Sequence, residues 1–260
     1  MPLARTTPFS YPRATVAAVV RVLAGLESAQ QRHRPQVAGR PFVTLSWAQS
    51  VDGCLALEAG RPTALSGDES LALTHALRAA HDGIVIGVGT SLADDPALTV
   101  RFWPGASPAP VVLDSSLRTS LQSRLVAAAA ARPVAFACTA AGDVDRQARL
   151  EARGARVLRL PACASGWVDL EALLDRLGAA GVGRVMVEGG AKVLTSFLQA
   201  QLADYAIVTI APRFLGGLAA VGPLEGAARP QIAGASIERF GADVVMAGPI
   251  TPAPVARPQS

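Results

Sequence analysis

The sequence is poor in the residues that mark several common classes of protein. It has three cysteines in 260 residues, none in Cys-x-x-Cys spacing, which argues against a disulfide framework and a structural zinc site. Aromatic residues make up only 5% of the chain, and no basic stripe with stacking residues is present, which disfavours nucleic-acid binding. No apolar run approaches the length of a membrane span, and the start lacks the apolar core of a secretory signal, so we expect a soluble, cytoplasmic protein.

Histidine is also scarce, with three in the chain, and none lies where a metal site or a catalytic triad can be inferred. The net charge is +4 and the sequence pI is about 9.5, but this charge is almost all arginine spread singly along the chain. Such a distribution suits small anions better than an extended polyanion.

Short β-branched runs alternate with helical patterns from Pro41 to about Ile250. Continuous apolar strands between helices indicate a mostly parallel sheet covered on both faces, an α/β fold. Two further runs separated by Gly241-Ala242 predict an antiparallel hairpin at the end of the sheet. The predicted strands are Phe42–Leu45, Gly83–Ile86, Pro110–Leu113, Pro133–Phe136, Ala155–Leu158, Arg184–Val187 and Ala206–Ile210, followed by the hairpin strands Ser236–Phe240 and Asp243–Met246.

Outside this region we predict an N-terminal extension, residues 1–40, and a disordered tail, residues 251–260. The extension contains one amphipathic helix from Thr15 to about Arg32, because apolar residues recur there at helical spacing. Its predicted apolar face consists of Val16, Val19, Val20, Leu23 and Leu26. The tail is rich in proline and polar residues.

The clearest helix signal lies before the second predicted strand. Ser66, with Glu69 three residues on, predicts a capping box, so the helix should start near Gly67 and run to about Ala80. His75 and Arg78 then share one face, which by itself is most simply a solvated polar stripe. The strand that follows directly favours a ligand-binding site here, because ligands in open α/β sheets lie outside the carboxyl ends of strands.

Two glycine turns follow buried strands. Gly87-Val-Gly89-Thr90 leads to the acid pair Asp94-Asp95, where the backbone can approach a ligand and a carboxylate can cap a helix or bind a ribose. The full Gly-x-Gly-x-x-Gly spacing is absent, so the pattern alone also fits a tight turn. Gly189-Gly190 opens a second helix, whose free N–H groups suit a pyrophosphate as well as they suit a bare strand-to-helix turn.

Together these motifs resemble one family. The motifs are Ser50-x-Asp52-Gly53, Leu65-Ser66-Gly67, His75-x-x-Arg78-Ala, Gly87-x-Gly89-Thr90-x-x-x-Asp94-Asp95-Pro96-x-Leu98-Thr-x-Arg101, Val112-Leu-Asp114-Ser115, Val187-Glu188-Gly189-Gly190 and Ile210-Ala-Pro212-x-x-Leu-Gly216-Gly217. In this order they are similar to the reductase domain of riboflavin biosynthesis, over about residues 41–250. The chain has no His-x-Glu and no Cys-x-x-Cys, so the zinc deaminase often fused to that domain is not expected.

The resemblance implies a dihydrofolate reductase-like fold, a homodimer and NADPH as cofactor. It implies reduction of the ribosyl side chain of a pyrimidine 5′-phosphate to a ribityl chain. The substrate contacts it implies are Arg78, Leu98, Arg101 and Glu188. The expected cofactor contacts are Ser66, Thr90, Asp94, Ser115, Gly189, Gly190, Ala191, Lys192, Val193, Leu194, Thr195 and Ser196.

Physical reasoning adds roles to some of these residues. Two guanidiniums can clamp a ribose 5′-phosphate, and Ser115, with Arg118 as our own addition, could hold the 2′-phosphate that distinguishes NADPH from NADH. Glu188 and Asp52 are the candidate catalytic residues. Glu188 could accept hydrogen bonds from the pyrimidine or the ribosyl hydroxyls, or else cap the following helix. Asp52 could orient or protonate, although a turn-forming Asp-Gly is the simpler interpretation.

Two other functions remain open at this stage. One is a reductase of the same fold and cofactor that acts on a pterin, dihydrofolate or a specialised metabolite. The other is a non-enzymatic nucleotide-binding or assembly module that uses the first helix to dock a partner. Retention of Arg78 and Arg101 favours a phosphorylated substrate, and the intact run from Thr90 to Asp94 argues against the non-enzymatic module.

Overall fold

The computed structural model describes residues 11–33, 39–61, 63–225 and 229–252. The helices in this part of the chain are α1 Arg13–His33, α2 Asp68–Ala79, α3 Val88–Asp94, α4 Arg124–Ala128, α5 Val144–Glu151, α6 Leu170–Ala179 and α7 Ala191–Gln199. The strands are β1 Phe42–Ser50, β2 Cys54–Ala56, β3 Gly83–Gly87, β4 Ala109–Leu113, β5 Ala135–Cys138, β6 Arg156–Arg159, β7 Arg184–Val187, β8 Tyr205–Ala211, β9 Leu218–Ala219, β10 Pro230–Ile232, β11 Ser236–Phe240 and β12 Asp243–Pro252.

A single large sheet organises the molecule. Its order is β10-β12-β8-β1-β7-β3-β4-β5-β6, and β11 pairs with β12 beside this path. The strands from β8 to β6 are mutually parallel, whereas β12 is antiparallel to β8 and to both β10 and β11. The predicted parallel sheet and its antiparallel closing hairpin are therefore confirmed. A small ribbon of β2 and β9 stands apart from the sheet.

Apolar side chains leave the sheet on both faces, as expected for parallel strands buried between helices. On one face Val43, Leu45, Val85 and Val187 pack with α6 and α7. Their neighbours along the strands point to the opposite face. There one cluster joins the sheet to α1 and α2, and another joins it to α4 and α5. Helices thus cover both faces, as predicted.

Helix α1 packs on its own chain. Its buried residues Val19, Val22 and Leu26 share a cluster with side chains of α2, β8 and β12. The predicted helix is confirmed, but its predicted apolar face is partly wrong. Val16 and Val20 are exposed, because the buried face runs along a different stripe that includes small and polar residues, namely Thr15, Ala18, Val22 and Ala29.

The predicted capping box of α2 is wrong. The N-cap is Gly67, and no side chain of its own segment caps the helix. Instead the Asp243 carboxylate accepts hydrogen bonds from Gly67 N–H at 2.8 Å and from the Ser70 hydroxyl at 2.7 Å. Glu69 accepts a hydrogen bond from the Thr15 hydroxyl of α1. A buried carboxylate from β12 therefore binds the N-cap N–H, the role that the predicted capping box gave to Glu69.

The predicted disordered tail begins too early, because residues 251 and 252 belong to β12, where Thr251 pairs with Gln231. The rest of the tail, like residues 1–10 and 34–38 of the predicted extension, lies outside the described residues. Among the residues that the structure describes, none of the helices is long and apolar enough to cross a membrane.

Candidate active site

The two glycine turns lie side by side at the carboxyl ends of the neighbouring strands β3 and β7. A Cβ atom on Gly87 would come within 2.8 Å of a Val193 methyl group, and one on Gly189 would lie 2.6 Å from Val193 Cβ. A Cβ on Gly190 would approach the Thr90 hydroxyl to 3.4 Å. Glycine is therefore needed here for the close packing of α3, α7 and the two strand ends.

The start of α7 suits an anionic group. Its N-cap is Gly190, and no side chain caps the first turn, so the first N–H groups have no partner within the helix. These groups and the positive end of the helix dipole favour a phosphate. The predicted cofactor residues Gly189 and Gly190 thus lie at an uncapped helix start, and the Thr90 hydroxyl lies beside it on the adjacent helix.

The side chains of α7 are less available than the sequence suggested. The hydroxyls of Thr195 and Ser196 donate to the carbonyls of Ala191 and Lys192 at 2.7 and 2.8 Å, and Leu194 is fully buried in the core. Of the predicted run, Lys192 has an exposed side chain, and its ammonium lies 5.1 Å from the centre of the Trp167 ring. The donors that this helix leaves open for a ligand are its first backbone N–H groups and Lys192, while the exposed Ser196 hydroxyl keeps its acceptor capacity.

The other predicted cofactor residues lie in three places. Asp94, the last residue of α3, has an exposed side chain, but the surrounding protein removes enough water from its carboxyl to raise the pKa. Ser115 follows β4 and accepts a hydrogen bond from Val168 N–H at 3.2 Å. Ser66 lies beside the start of β12, because the next residue donates to Asp243. Since β12 is three strand positions from β7, about 14 Å, the structure does not bring Ser66 to the glycine turns.

Arg78 and Glu188, which lie 110 residues apart, form a bidentate ion pair. Arg78 Nε and a terminal nitrogen donate to the two Glu188 oxygens at 2.7 and 2.6 Å, and its other terminal nitrogen donates to the Thr99 carbonyl at 3.2 Å. The side chains are 12% and 17% exposed. Three of the five N–H groups of this guanidinium are thus engaged, so Arg78 offers a ligand two donors at most. Glu188 contacts Arg78, which the sequence did not predict.

Arg101 lies on the irregular segment between α3 and β4, and its guanidinium is exposed near the Phe102 ring. Its backbone N–H donates to His75 Nδ1 at 2.9 Å. Burial, Arg78 and Arg101 lower the pKa of His75 to about 4, so its ring is neutral and carries its proton on Nε2. Leu98 is buried, with a left-handed φ of 50°. The segment thus places the predicted substrate residues next to the Arg78–Glu188 pair.

Asp52 follows β1, the strand beside β7, and its carboxylate is saturated with donors. It accepts hydrogen bonds from the Ser50 hydroxyl, from Leu215 N–H at 3.1 Å and from Gly216 N–H at 2.7 Å. These bonds, led by the one from Ser50, lower the pKa of Asp52 well below its usual range. This favours the turn-anchoring interpretation over a proton donor, because the carboxyl group is ionised at neutral pH.

Two side chains of this region were given no role from the sequence. His75 was part of a motif, and its position one turn before Arg78 on the same helix face was the available signal. Arg132 gave no signal. It follows an alanine-rich stretch after α4, and it donates to the carbonyls of Ala97 at 2.8 Å and Leu98 at 3.5 Å.

Comparison with known proteins gives a consistent result. A family model described as the RibD C-terminal domain matches residues 41–246. The 2,5-diamino-6-ribosylamino-4(3H)-pyrimidinone 5′-phosphate reductase of Methanothermobacter thermautotrophicus is 38% identical over 181 residues, which are 68% of this chain and 81% of that protein. The riboflavin biosynthesis protein RibD of Aquifex aeolicus is 33% identical over 186 residues, 71% of this chain but only 50% of that protein.

Solved structures show the same likeness. The riboflavin biosynthesis reductase Rib7 of Saccharomyces cerevisia superposes with a TM-score of 0.70 and 26% identity, over 87% of this chain and 97% of that one. RibD of Acinetobacter baumannii gives a TM-score of 0.71 at 24% identity, over 89% of this chain and 63% of that one, a likeness that shows the fold alone.

Proposed function

The chain belongs to the RibD C-terminal domain family, and from this premise we propose that it reduces the ribosylamino side chain of a pyrimidine 5′-phosphate to the ribitylamino form in riboflavin biosynthesis, with NADPH as the reductant. The observation that carries the proposal is the junction at Glu188. This residue pairs with Arg78 on one side and leads directly into the Gly189-Gly190 turn on the other. An arginine–glutamate pair and the glycine turn to which we assign a phosphate thus share one strand end.

This glycine turn fits a dinucleotide. Added Cβ atoms at Gly87 and Gly189 would collide with Val193, so these two positions accept only glycine. The N–H groups of the first two residues of α7 have no partner within the helix. We assign the pyrophosphate to this turn, with Thr90 beside it. Ser115, after the next strand but one, is assigned to the adenosine 2′-phosphate. A bound reduced nicotinamide supplies the hydride that the reaction requires.

The protein's own residues bind and orient the substrate. Arg101 presents an exposed guanidinium to the 5′-phosphate, and Arg78 adds the donors that Glu188 and Thr99 leave open. Glu188 keeps acceptor capacity for the pyrimidine amino groups or the ribosyl hydroxyls. Buried Leu98 fixes the turn of the segment that carries Arg101 and the Thr99 contact of Arg78. Asp52 orients the backbone around the site by joining the end of β1 to Leu215 and Gly216, since its carboxylate is already bound by three donors.

We further propose a homodimer, because one face of the sheet edge is apolar and uncovered. Ile237 and Met246 lie side by side on β11 and β12, and Val244 continues this face, which ends at the buried Val208 of β8. Ile237 is 65% and Val244 37% exposed, while the opposite face of the same strands packs on α1.

The three cysteines are free thiols, which is consistent with the reducing conditions of the cytoplasm.

The deciding experiment is turnover by the purified protein, followed by the loss of reduced-nicotinamide absorbance. The substrates are the ribosylaminopyrimidine 5′-phosphate in its amino and deaminated forms, with dihydrofolate as comparator. We expect turnover of one pyrimidine with NADPH. Turnover of dihydrofolate alone, or of nothing despite NADPH binding, would refute the proposal.

Two variants test the assigned roles. Arg101→Ala should weaken pyrimidine binding by about 1.5–3 kcal/mol, the value of a hydrogen bond to a charged group, and leave NADPH affinity unchanged.

Ser115→Ala should weaken NADPH more than NADH. Equal losses for both cofactors would remove Ser115 from the 2′-phosphate site.

A further inference from the structure

Five consecutive residues between α3 and β4, Ala97 to Arg101, share an unusual feature. They form no helix or strand, yet each has one backbone group bound by a side chain from another part of the chain. The carbonyls of Ala97 and Leu98 accept from Arg132, and that of Thr99 accepts from Arg78. The N–H groups of Val100 and Arg101 donate to Ser107 Oγ and His75 Nδ1, both at 2.9 Å. We refer to residues 97–101 as the clamp segment.

Arg132 makes two of these five contacts, and unlike His75 and Arg78 it lies in none of the sequence motifs. Its guanidinium reaches the clamp segment from the connection between α4 and β5, 34 and 35 residues along the chain. Its Nε atom is buried and has no hydrogen-bond partner. Burial, and then the charge of Arg78, lower the pKa of Arg132. The charge of Arg78 is therefore near enough to disfavour the ionised form of Arg132.

The contacts of Arg132 lead to the ion pair step by step. The guanidinium holds the carbonyl of Leu98, whose backbone lies in the left-handed region at φ 50°, a conformation that costs a leucine energy. The next residue, Thr99, turns its carbonyl to Arg78, and Arg78 holds Glu188 through two hydrogen bonds. The conformation of the clamp segment therefore fixes the third contact of Arg78.

We propose that Arg132 is a positioning residue: by binding the carbonyls of Ala97 and Leu98 it holds the clamp segment in the conformation in which Thr99 orients Arg78 and Arg101 faces the substrate. This role rests on the proposed function insofar as it concerns the pyrimidine 5′-phosphate. Arg132 touches neither substrate nor cofactor in this scheme. Its loss acts through the clamp segment, so it affects substrate binding and spares the nucleotide cradle around Gly190.

The test compares three variants of the full chain. Arg132→Met removes the charge and keeps the length, and Arg132→Lys keeps the charge but cannot span two carbonyls as a planar fork can. Arg156→Met, at an exposed position of β6, is the matched control. Amide hydrogen exchange at Val100 and Arg101 reports the clamp segment directly, and needs no turnover. Steady-state kinetics gives KM for the pyrimidine and kcat, and fluorescence titration gives the NADPH Kd.

For Arg132→Met we expect exchange at Val100 and Arg101 to accelerate about tenfold or more. The pyrimidine KM should rise about tenfold, because a displaced Arg78 or Arg101 costs the substrate about one charged hydrogen bond. The kcat and the NADPH Kd should stay within about twofold. Arg132→Lys should resemble Arg132→Met, and Arg156→Met should resemble the unmodified protein.

Three outcomes would overturn the proposal. Unchanged exchange in Arg132→Met would show that Arg132 does not hold the segment. Full recovery of exchange and KM in Arg132→Lys would show that charge alone matters. Faster exchange with an unchanged KM would separate the clamp segment from the substrate. If neither the unmodified protein nor Arg156→Met reduces a pyrimidine, the proposed function fails, and the exchange measurement still decides whether Arg132 holds the segment.

Discussion

Asp52 shows how three hydrogen bonds change the chemistry of an aspartate at a strand end. The Ser50 hydroxyl and the N–H groups of Leu215 and Gly216 all donate to its carboxylate. Donors of this kind stabilise the ionised form, which lowers the pKa. The residue therefore links the end of β1 to the segment after β8, and carries a fixed negative charge at any physiological pH.

We predict that Asp52→Asn leaves the shape of the pH profile of kcat/KM unchanged between about pH 5 and 9, because no ionisation of Asp52 falls in that range. Stability should respond differently. A carboxyl with a lowered folded pKa stabilises the fold above its unfolded pKa of about 3.9, and the contribution is lost as the pH falls further. Urea unfolding at pH 7 and pH 3 should show the difference between the two proteins narrowing at pH 3. Loss of an acid limb in the variant's kinetic profile would instead assign Asp52 to proton transfer.

Single residues of the site were predictable from the sequence, but their pairings were not. Arg78 and Glu188 each lie in a motif, whereas the bond between them joins residues 110 positions apart. That bond changes the expected chemistry, since an arginine engaged by a carboxylate has fewer donors for a phosphate. Arg132 had no motif at all, because its role depends only on which carbonyls it reaches in the folded chain.

The elements were predicted well wherever their signal is local. Each predicted strand is present, because continuous β-branched runs between helices leave few alternatives. The strands β2, β9 and β10 were missed, since each is only two or three residues long and β10 begins at a proline. The prediction of the α2 cap was wrong for the opposite reason. Its signal was local, but Asp243, 176 residues further on, supplies the bond to Gly67.

The α2 cap gives a test at this scale. Asp243→Ala should lower the free energy of unfolding by about 1–2 kcal/mol, because Gly67 N–H and the buried Ser70 hydroxyl lose their acceptor. Ser66→Ala should change it by at most about 0.5 kcal/mol, since Ser66 is exposed and does not cap the helix. Urea denaturation of both variants decides between the two caps. A larger loss in Ser66→Ala would restore the capping box.

At the scale of the whole molecule, two neutral histidines make stability depend on pH. Burial lowers the pKa of both His75 and His81 to about 4. His81 donates from Nδ1 to the Leu77 carbonyl and accepts at Nε2 from the Thr44 hydroxyl. An unfolded histidine binds a proton below about pH 6.5, whereas these two stay neutral in the folded state.

Stability should therefore fall as the pH drops from about 6.5 to 4, by at most about 1.4 kcal/mol per pH unit for each histidine. In His81→Gln this slope should be about half as steep, although the variant is less stable at every pH. Urea unfolding at closely spaced pH values between 7 and 4.5 measures the slope. An identical slope in both proteins would show that His81 binds its proton equally in the folded and unfolded states.

The proposed homodimer is also a property of the whole molecule. We predict that Ile237→Glu converts the dimer to a monomer, because it places a charge in the centre of the apolar sheet face while the core on the other side is untouched. Val144→Glu, at an exposed position of α5, is the control. Light scattering after gel filtration gives both masses. A monomeric unmodified protein, or a dimeric Ile237→Glu, would rule this interface out.

The packing of α1 on β11 and β12 has a consequence for synthesis of the protein. Arg21 binds both oxygens of Glu238, 217 residues later. The N-cap of α2 donates its N–H to Asp243 of β12. During synthesis Arg21 emerges 217 residues before Glu238, so the two helices reach these partners only after β11 and β12 have been made. Until then the nascent chain carries an unprotected apolar face on α1, which is open to chaperones that bind such faces.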